Sequence, residues 1–310
     1  MSTTSSPTVA SWELSIRLRE HRVRLGMDVA TVTKALKFSR NYWSAVENDR
    51  TMLADDKFAT VLALFELDEA ERKRLTALRD YAKSKPWWSA DPSLVLPGEQ
   101  RFFGLEDGSE AIRNFEGLVI PGPLQTEAYS RALFSSLPGV AQVEVESRVR
   151  FRRARQKRIL DDTKKRLSAV ISEGALLQHV SADPQVQHGQ LCSLTEAIDT
   201  YAESVDLRIL PFAQPLRGMV GTSSLVVFSF EQPILPSIAF QEAAVPIGFI
   251  EDPAEMHLVE LTFKQAYESS LSRTDSQALI ESYASALRSE IEQGDFPKPG
   301  EPLGPLNRSR

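Results

Sequence analysis

From Trp12 to Ala82 the apolar residues recur at three- and four-residue spacing, and nowhere in that stretch do they alternate as a half-buried strand requires. A block patterned this way folds into short amphipathic helices, each burying one stripe against its neighbours. Leu14, Leu18 and Leu25 line one side of ELSIRLREHRVRLG, which Gly26 ends as a helix stop. A second helix follows from Val29 to Leu36, with Val32 and Leu36 four apart. The turn KFS then leads into RNYWSAVEN, where Trp43 and Val46 stand three apart on a single face. Two short helices joined by so tight a turn have helix-turn-helix geometry, in which the second helix enters a DNA major groove. A helical hairpin with a merely solvated polar face satisfies the same periodicity. Leu53 to Phe65 and Glu69 to Lys83 complete the block as fourth and fifth helices that pack and do not read bases.

On the helix-turn-helix reading, the face opposite Trp43 and Val46 supplies the base contacts. Arg40 and Asn41 sit at its N-terminal end, where Arg can donate a bidentate pair to guanine and Asn can pair with adenine. Ser44 is a flexible donor or acceptor one turn later, and Ala45 offers a methyl contact. Tyr42, Asn48 and Arg50 are placed for phosphate, which fixes register without carrying sequence information.

The net charge of the 310 residues is -6, which does not advertise a nucleic-acid binder. Counted by segment it divides: residues 1–90 carry 15 Lys+Arg against 12 Asp+Glu, and the remaining 220 carry 21 against 30. A weakly basic head on an acidic body suits a module that approaches phosphate with one face.

The order LREHRVRLG, a short helix, then SRNYWSAVENDR resembles the Xre-type, phage-repressor-like helix-turn-helix family over about Leu14 to Phe65. The resemblance implies that Glu47-Asn48-Asp49-Arg50 forms the turn closing the recognition helix, and that Glu47 makes a salt bridge within the fold. Val29 stands where that family usually has a glutamine contacting phosphate.

Domain organisation follows from composition and pattern. Residues 1–11 and 291–310 read as disordered tails, the first Ser/Thr-rich and the second rich in Pro and Gly. The helix-turn-helix domain spans 12–85, a linker with prolines at 86, 92 and 97 spans 86–100, and an α+β domain for dimerisation or effector binding spans 101–290. In that second domain, helices are predicted at Leu105–Asn114, Leu124–Leu133, Val143–Leu160, Gln185–Ser204 and Ala254–Ala286. Strands are predicted at Leu167–Ser172, Val205–Leu210, Ser223–Phe230, Ser237–Gln241 and Ile247–Ile250. The fold class is therefore α+β, an all-helical phage-repressor-like head followed by a mixed domain.

Segments of the second domain, among them FFGLEDGSEAIRNFEGLVIPGPLQTEAYSRALF, RVRFRRARQKRIL, LSAVISEGALL and VDLRILPF, resemble a family of actinobacterial Xre-type regulators. Their large C-terminal domain has no established biochemical function and is described as antitoxin-like. Pro123 stands where the family usually has leucine. The resemblance implies a small partner protein encoded nearby as one alternative for what this domain binds.

Pro121-Gly122-Pro123 forces an irregular turn, and the chain behind it starts a helix, so Gln125, with Phe115 and Tyr129, forms a candidate ligand pocket for a small-molecule effector. Packing of the two halves of the domain is the competing reading. The run from Arg148 to Arg166 holds ten Lys+Arg in nineteen residues, and it reads as a solvated helix face, a partner or dimer surface, or an auxiliary phosphate contact. The four histidines lack metal-site spacing, the single Cys192 excludes a disulfide framework, and no phosphate-cradling glycine loop or GxSxG elbow occurs. A non-enzymatic chain without cofactor is expected, cytoplasmic and free of membrane spans, since no apolar run approaches the roughly 18 residues needed. A homodimer on double-stranded DNA is expected too, because one short recognition helix reads too few base pairs for genomic specificity.

Overall fold

The computed structural model describes residues 6–95, 97–214, 223–242 and 248–294. The chain divides into two units, one of residues up to Glu110 together with Ser229–Ser237, the other of Ala111–Phe228 and the residues from Ile238 onward.

The first unit is helical: α1 (Pro7–Arg24), α2 (Val29–Leu36), α3 (Arg40–Glu47), α4 (Asp55–Leu64), α5 (Glu69–Ala82) and α6 (Pro97–Gly108). Leu14, Leu18, Val32, Leu36, Trp43, Val46, Phe58, Val61, Phe65 and Leu75 form its core. Asp28, Ser39 and Asp68 cap α2, α3 and α5 by accepting backbone N–H bonds from Thr31, Tyr42 and Glu71.

Two boundaries differ from the sequence reading. The N-terminal tail expected over 1–11 is helical from Pro7, whose ring sets the first helical position, and Val9 and Ala10 are buried. Residues 1–5 of that tail lie outside the described residues. The linker expected over 86–100 is also structured: short 3-10 turns at Trp87–Ala90 and Pro92–Leu94 precede α6, and Leu96 lies outside the described residues. Trp87 and Trp88 carry more apolar area than a solvated linker tolerates, and both pack on Phe103 of α6 with ring centroids 6.3 and 6.4 Å away. Helix α6 therefore belongs to the first unit, whose first stretch ends at Glu110.

The second unit is built on a mixed sheet with strand order β3-β2-β1-β4-β5-β6. β1 (Ala111–Glu116), β2 (Arg166–Ser172) and β3 (Val205–Leu210) are parallel, with Ile112 opposite Leu167 and Leu167 opposite Val205. β4 (Ser224–Ser229), β5 (Ile238–Gln241) and β6 (Gly248–Ile250) follow, and β4–β5 and β5–β6 are antiparallel. The helices are α7 (Glu127–Ser136), α8 (Val145–Leu160), α9 (Glu173–Leu177), α10 (Pro184–Thr200), α11 (Pro253–Ser269) and α12 (Arg273–Gln293). Phe115, Val170, Leu210, Leu225 and Val227 of the sheet pack on Met256, Phe263 and Ala266 of α11.

Three further predictions are corrected here. The helix expected over Leu105–Asn114 ends at Gly108, and AIRNFE becomes β1, because alternate side chains of this segment face the two sides of the sheet. The single helix expected over Ala254–Ala286 is two helices. Leu271 N–H leaves the helical ladder to donate to Ile209 O at 2.9 Å, and Ser272 caps α12. That junction also covers the outer edge of β3, where Ile209 N–H donates to Ser276 Oγ at 2.9 Å. Of the expected C-terminal tail, residues 291–293 continue α12 and Gly294 closes it at φ +71, while 295–310 lie outside the described residues, as do 215–222 and Ile247. Among the described residues no helix is long and apolar enough to cross a membrane.

Candidate functional site

Helix α3 is positioned from below and from both ends. Trp43, wholly buried, meets the Phe65 ring edge-on with centroids 6.3 Å apart, and Val46 is buried beside it. The turn before the helix closes through Lys37, in the left-handed region at φ 57, and Phe38 N–H donates to Thr33 O at 2.9 Å. At the other end Glu47 is buried and accepts two bonds from the Arg22 guanidinium of α1, at 2.5 and 3.1 Å, while Arg22 Nη1 donates to Met27 O at 2.9 Å. The salt bridge implied for Glu47 thus fixes α3 to α1 and to the end of the loop before α2. Asp49 adopts φ 54 directly after the helix and accepts a bond from Ser11 Oγ at 2.5 Å.

These constraints leave one face of α3 open. Arg40, Asn41 and Ser44 are exposed along it and Ala45 is half-buried at its margin. The side chains of Arg40, Asn41 and Arg50 make no hydrogen bond or ion pair with a described residue, so their polar groups are available. Two residues assigned to phosphate also make contacts within the helical unit. The Tyr42 ring is half-buried against Phe38, 4.5 Å between centroids, and leans on the core. Asn48 turns its amide back on α3, donating to Ser44 O at 2.7 Å and Ser44 Oγ at 3.3 Å, which satisfies a helix-end carbonyl. Asp28 stands exposed at the start of α2. The backbone N–H and hydroxyl of Thr31, each 2.7 Å away, hold its carboxyl below the usual range, with smaller help from Arg40 and Arg22.

The residues proposed for a ligand pocket fall inside the second unit. Phe115 lies in the sheet core, and Tyr129 is wholly buried with its hydroxyl accepting Ile120 N–H at 3.2 Å. Neither lines the cleft that Gln125 borders. Gln125 borders a cleft, but its side chain is spent internally, donating to Ile120 O at 2.7 Å and accepting from Ser130 Oγ and Arg152. Two glutamines that sequence reasoning passed over complete this turn. Gln156 Nε2 donates to Gly122 O and Gln125 O at 3.0 and 2.6 Å. Gln190 accepts Thr126 N–H and donates to Leu124 O at 2.7 and 2.8 Å. Both are buried, and their partners are brought to them only by the fold.

The basic run resolves residue by residue. Arg148 pairs with Glu144 one turn back at 3.3 Å, Arg153 reaches Glu127 of α7 at 2.8 Å, and Arg152 turns inward over the Phe134 ring, 4.3 Å from its centroid. Glu146 pairs with Arg131 of α7 and not within its own helix. Another group without a signal in the sequence is Glu116 at the end of β1. Burial raises its carboxyl to about 7, with Glu242 adding to the rise, although Asn114, Ser224 and Arg155 oppose it.

Two family models match this chain: a helix-turn-helix domain (HTH_31) over residues 13–75, and a domain of unknown function (DUF5753) over residues 100–282. The second covers more than half of the sequence. The chain belongs to the DUF5753 family. The DUF5753 match begins within α6 and ends within α12, so it takes in the whole sheet. The helix-turn-helix match takes in α2 and α3 and ends in α5. No curated protein and no solved structure matches the chain.

Proposed function

We propose that this DUF5753 protein is a sequence-specific DNA-binding transcription regulator that acts as a homodimer, with α3 reading bases and the second domain responding to an effector. The observation that carries the reading is the open face of α3, with Arg40 and Asn41 unpaired at its N-terminal end over a buried Trp43. Arg40, Asn41, Ser44 and Ala45 are assigned to base edges and Arg50 to phosphate. Asn48 and Tyr42 act as supports of that helix. Dimerisation follows from the short reading frame of one such helix, which makes a two-fold operator the expected target.

An Xre-type, antitoxin-like protein-interaction module is the second reading, in which the DUF5753 domain binds a small protein and DNA binding is autoregulatory. It rests on the family resemblance of the second domain.

Fluorescence anisotropy with DNA from the gene's own upstream region and with scrambled DNA, across a salt series, tests the first reading. Discriminating binding that weakens steeply with salt supports it. Equal, weak binding to both DNAs overturns it in favour of the interaction module.

A further inference from the structure

The Pro123–Glu127 segment, the outward side of α8 and one side of α10 enclose a cleft of about 520 Å³, all within the second unit. That size suits a small polar molecule, for which sites run from roughly 300 to 1,000 Å³. Its floor is held in place by the Gln156 and Gln190 bonds to the turn, so the shape is formed before any ligand arrives. On its rim Arg153 and Glu127 neutralise each other at 2.8 Å.

Three charged groups lining the cleft have no ion pair or hydrogen bond to a described residue: Lys157, Asp161 and Glu196. Lys157 and Asp161 stand one helical turn apart without closing a pair, although Asp161 N–H donates to Lys157 O at 3.0 Å. Asp161 is the C-cap of α8, where the helix dipole is negative and a cation is preferred. Glu196 of α10 lines the same cleft. A cationic group bound between the two carboxylates would pair with both, and Lys157 then remains to meet an anion.

We propose that the cleft binds a small amine- or guanidine-bearing zwitterion, its cation between Asp161 and Glu196 and its carboxylate on Lys157. This deepens the effector reading of the second domain, and it does not depend on DNA binding.

The test is calorimetric titration of the full chain with L-arginine, with agmatine, which lacks the carboxylate, and with acetate. Arginine is expected to bind more tightly than either. Glu196→Gln and Lys157→Met, both exposed positions, should each weaken it at least about five-fold, with circular dichroism unchanged. Absence of arginine binding at millimolar concentration overturns the proposal, as does agmatine binding equal to arginine or insensitivity to Lys157→Met. Operator affinity measured alongside separates the two readings. If arginine binds and DNA affinity stays constant, the site stands and the effector role falls. If arginine does not bind while operator binding persists, the site falls and the DNA-binding reading stands.

Discussion

At the scale of single residues, the two ends of α3 make different statements about DNA. Arg40 and Asn41 are exposed and unpaired, so Arg40→Ala or Asn41→Ala should relax base preference at one or two operator positions by about 1–3 kcal/mol each. Arg50→Ala should weaken all sequences alike and flatten the salt dependence, as competition anisotropy with single-base operator variants will distinguish. Both alanine variants at 40 and 41 leaving preference intact would show that another surface reads the bases. In the second unit Glu116 couples protonation to stability. Its carboxyl titrates near 7 when folded against 4.5 as the ordinary value, so the folded state holds a proton that the unfolded chain releases. Stability from this group is full below about pH 4.5 and is lost as pH rises towards 7. Urea midpoints measured across that window should decline in the native chain, and Glu116→Gln should remove this part of the slope. An unchanged slope in the variant would assign it to other groups.

At the scale of elements, α3 depends on an ion pair and the first helix on two glycines. The Arg22 and Glu47 side chains are only 13% and 7% exposed, so Glu47→Ala leaves a buried guanidinium uncompensated and should cost about 3–5 kcal/mol in urea unfolding. Replacing both partners with apolar residues should cost less than the single change. Helix α6 brings Gly104 and Gly108 against Thr8 and Val9 of α1, where an added Cβ would overlap either side chain. Gly104→Ala should therefore destabilise by roughly 1–3 kcal/mol, and Thr8→Ala in the same chain should recover part of that loss. Full additivity of the two would mean that the helices separate instead of clashing. This contact also explains what sequence reading could reach. Periodicity located α2 and α3 because each has one apolar stripe facing one core, and Trp43 and Val46 show which side of α3 turns inward. It could not see that Thr8 and Val9, in a Ser/Thr-rich stretch, would find a glycine-lined groove about 95 residues away, since that is a matter of shape and long-range pairing. The Gln125 turn fails in the same way. Its amide looked available because its three partners, Ile120, Ser130 and Arg152, are brought to it only by the fold.

At the scale of the whole molecule, the units are not two successive lengths of chain. The first takes back Ser229–Ser237 from beyond the fourth strand, so cutting the chain once after residue 110 cannot reproduce it. Within this returned segment Phe230 meets Trp12 of α1 edge-on with centroids 5.3 Å apart, and Gln232 accepts from Arg74 of α5 at 3.1 Å. An aromatic pair in this geometry contributes about 0.5–1.5 kcal/mol beyond the area it buries. A double-mutant cycle with Trp12→Ala and Phe230→Ala in the full chain should return a coupling of that size on the unfolding transition of the helical unit. In a fragment ending at residue 110, where Phe230 is missing, Trp12→Ala should then cost less than it does in the full chain. Equal costs in the two contexts, with no coupling in the cycle, would mean that the returned segment contributes nothing to the stability of the unit. The DNA-binding head could then be studied alone. A measurable coupling instead makes the head's stability depend on residues that lie between the strands of the DUF5753 domain, so a destabilised sheet would be felt at the helices that carry Arg40 and Asn41.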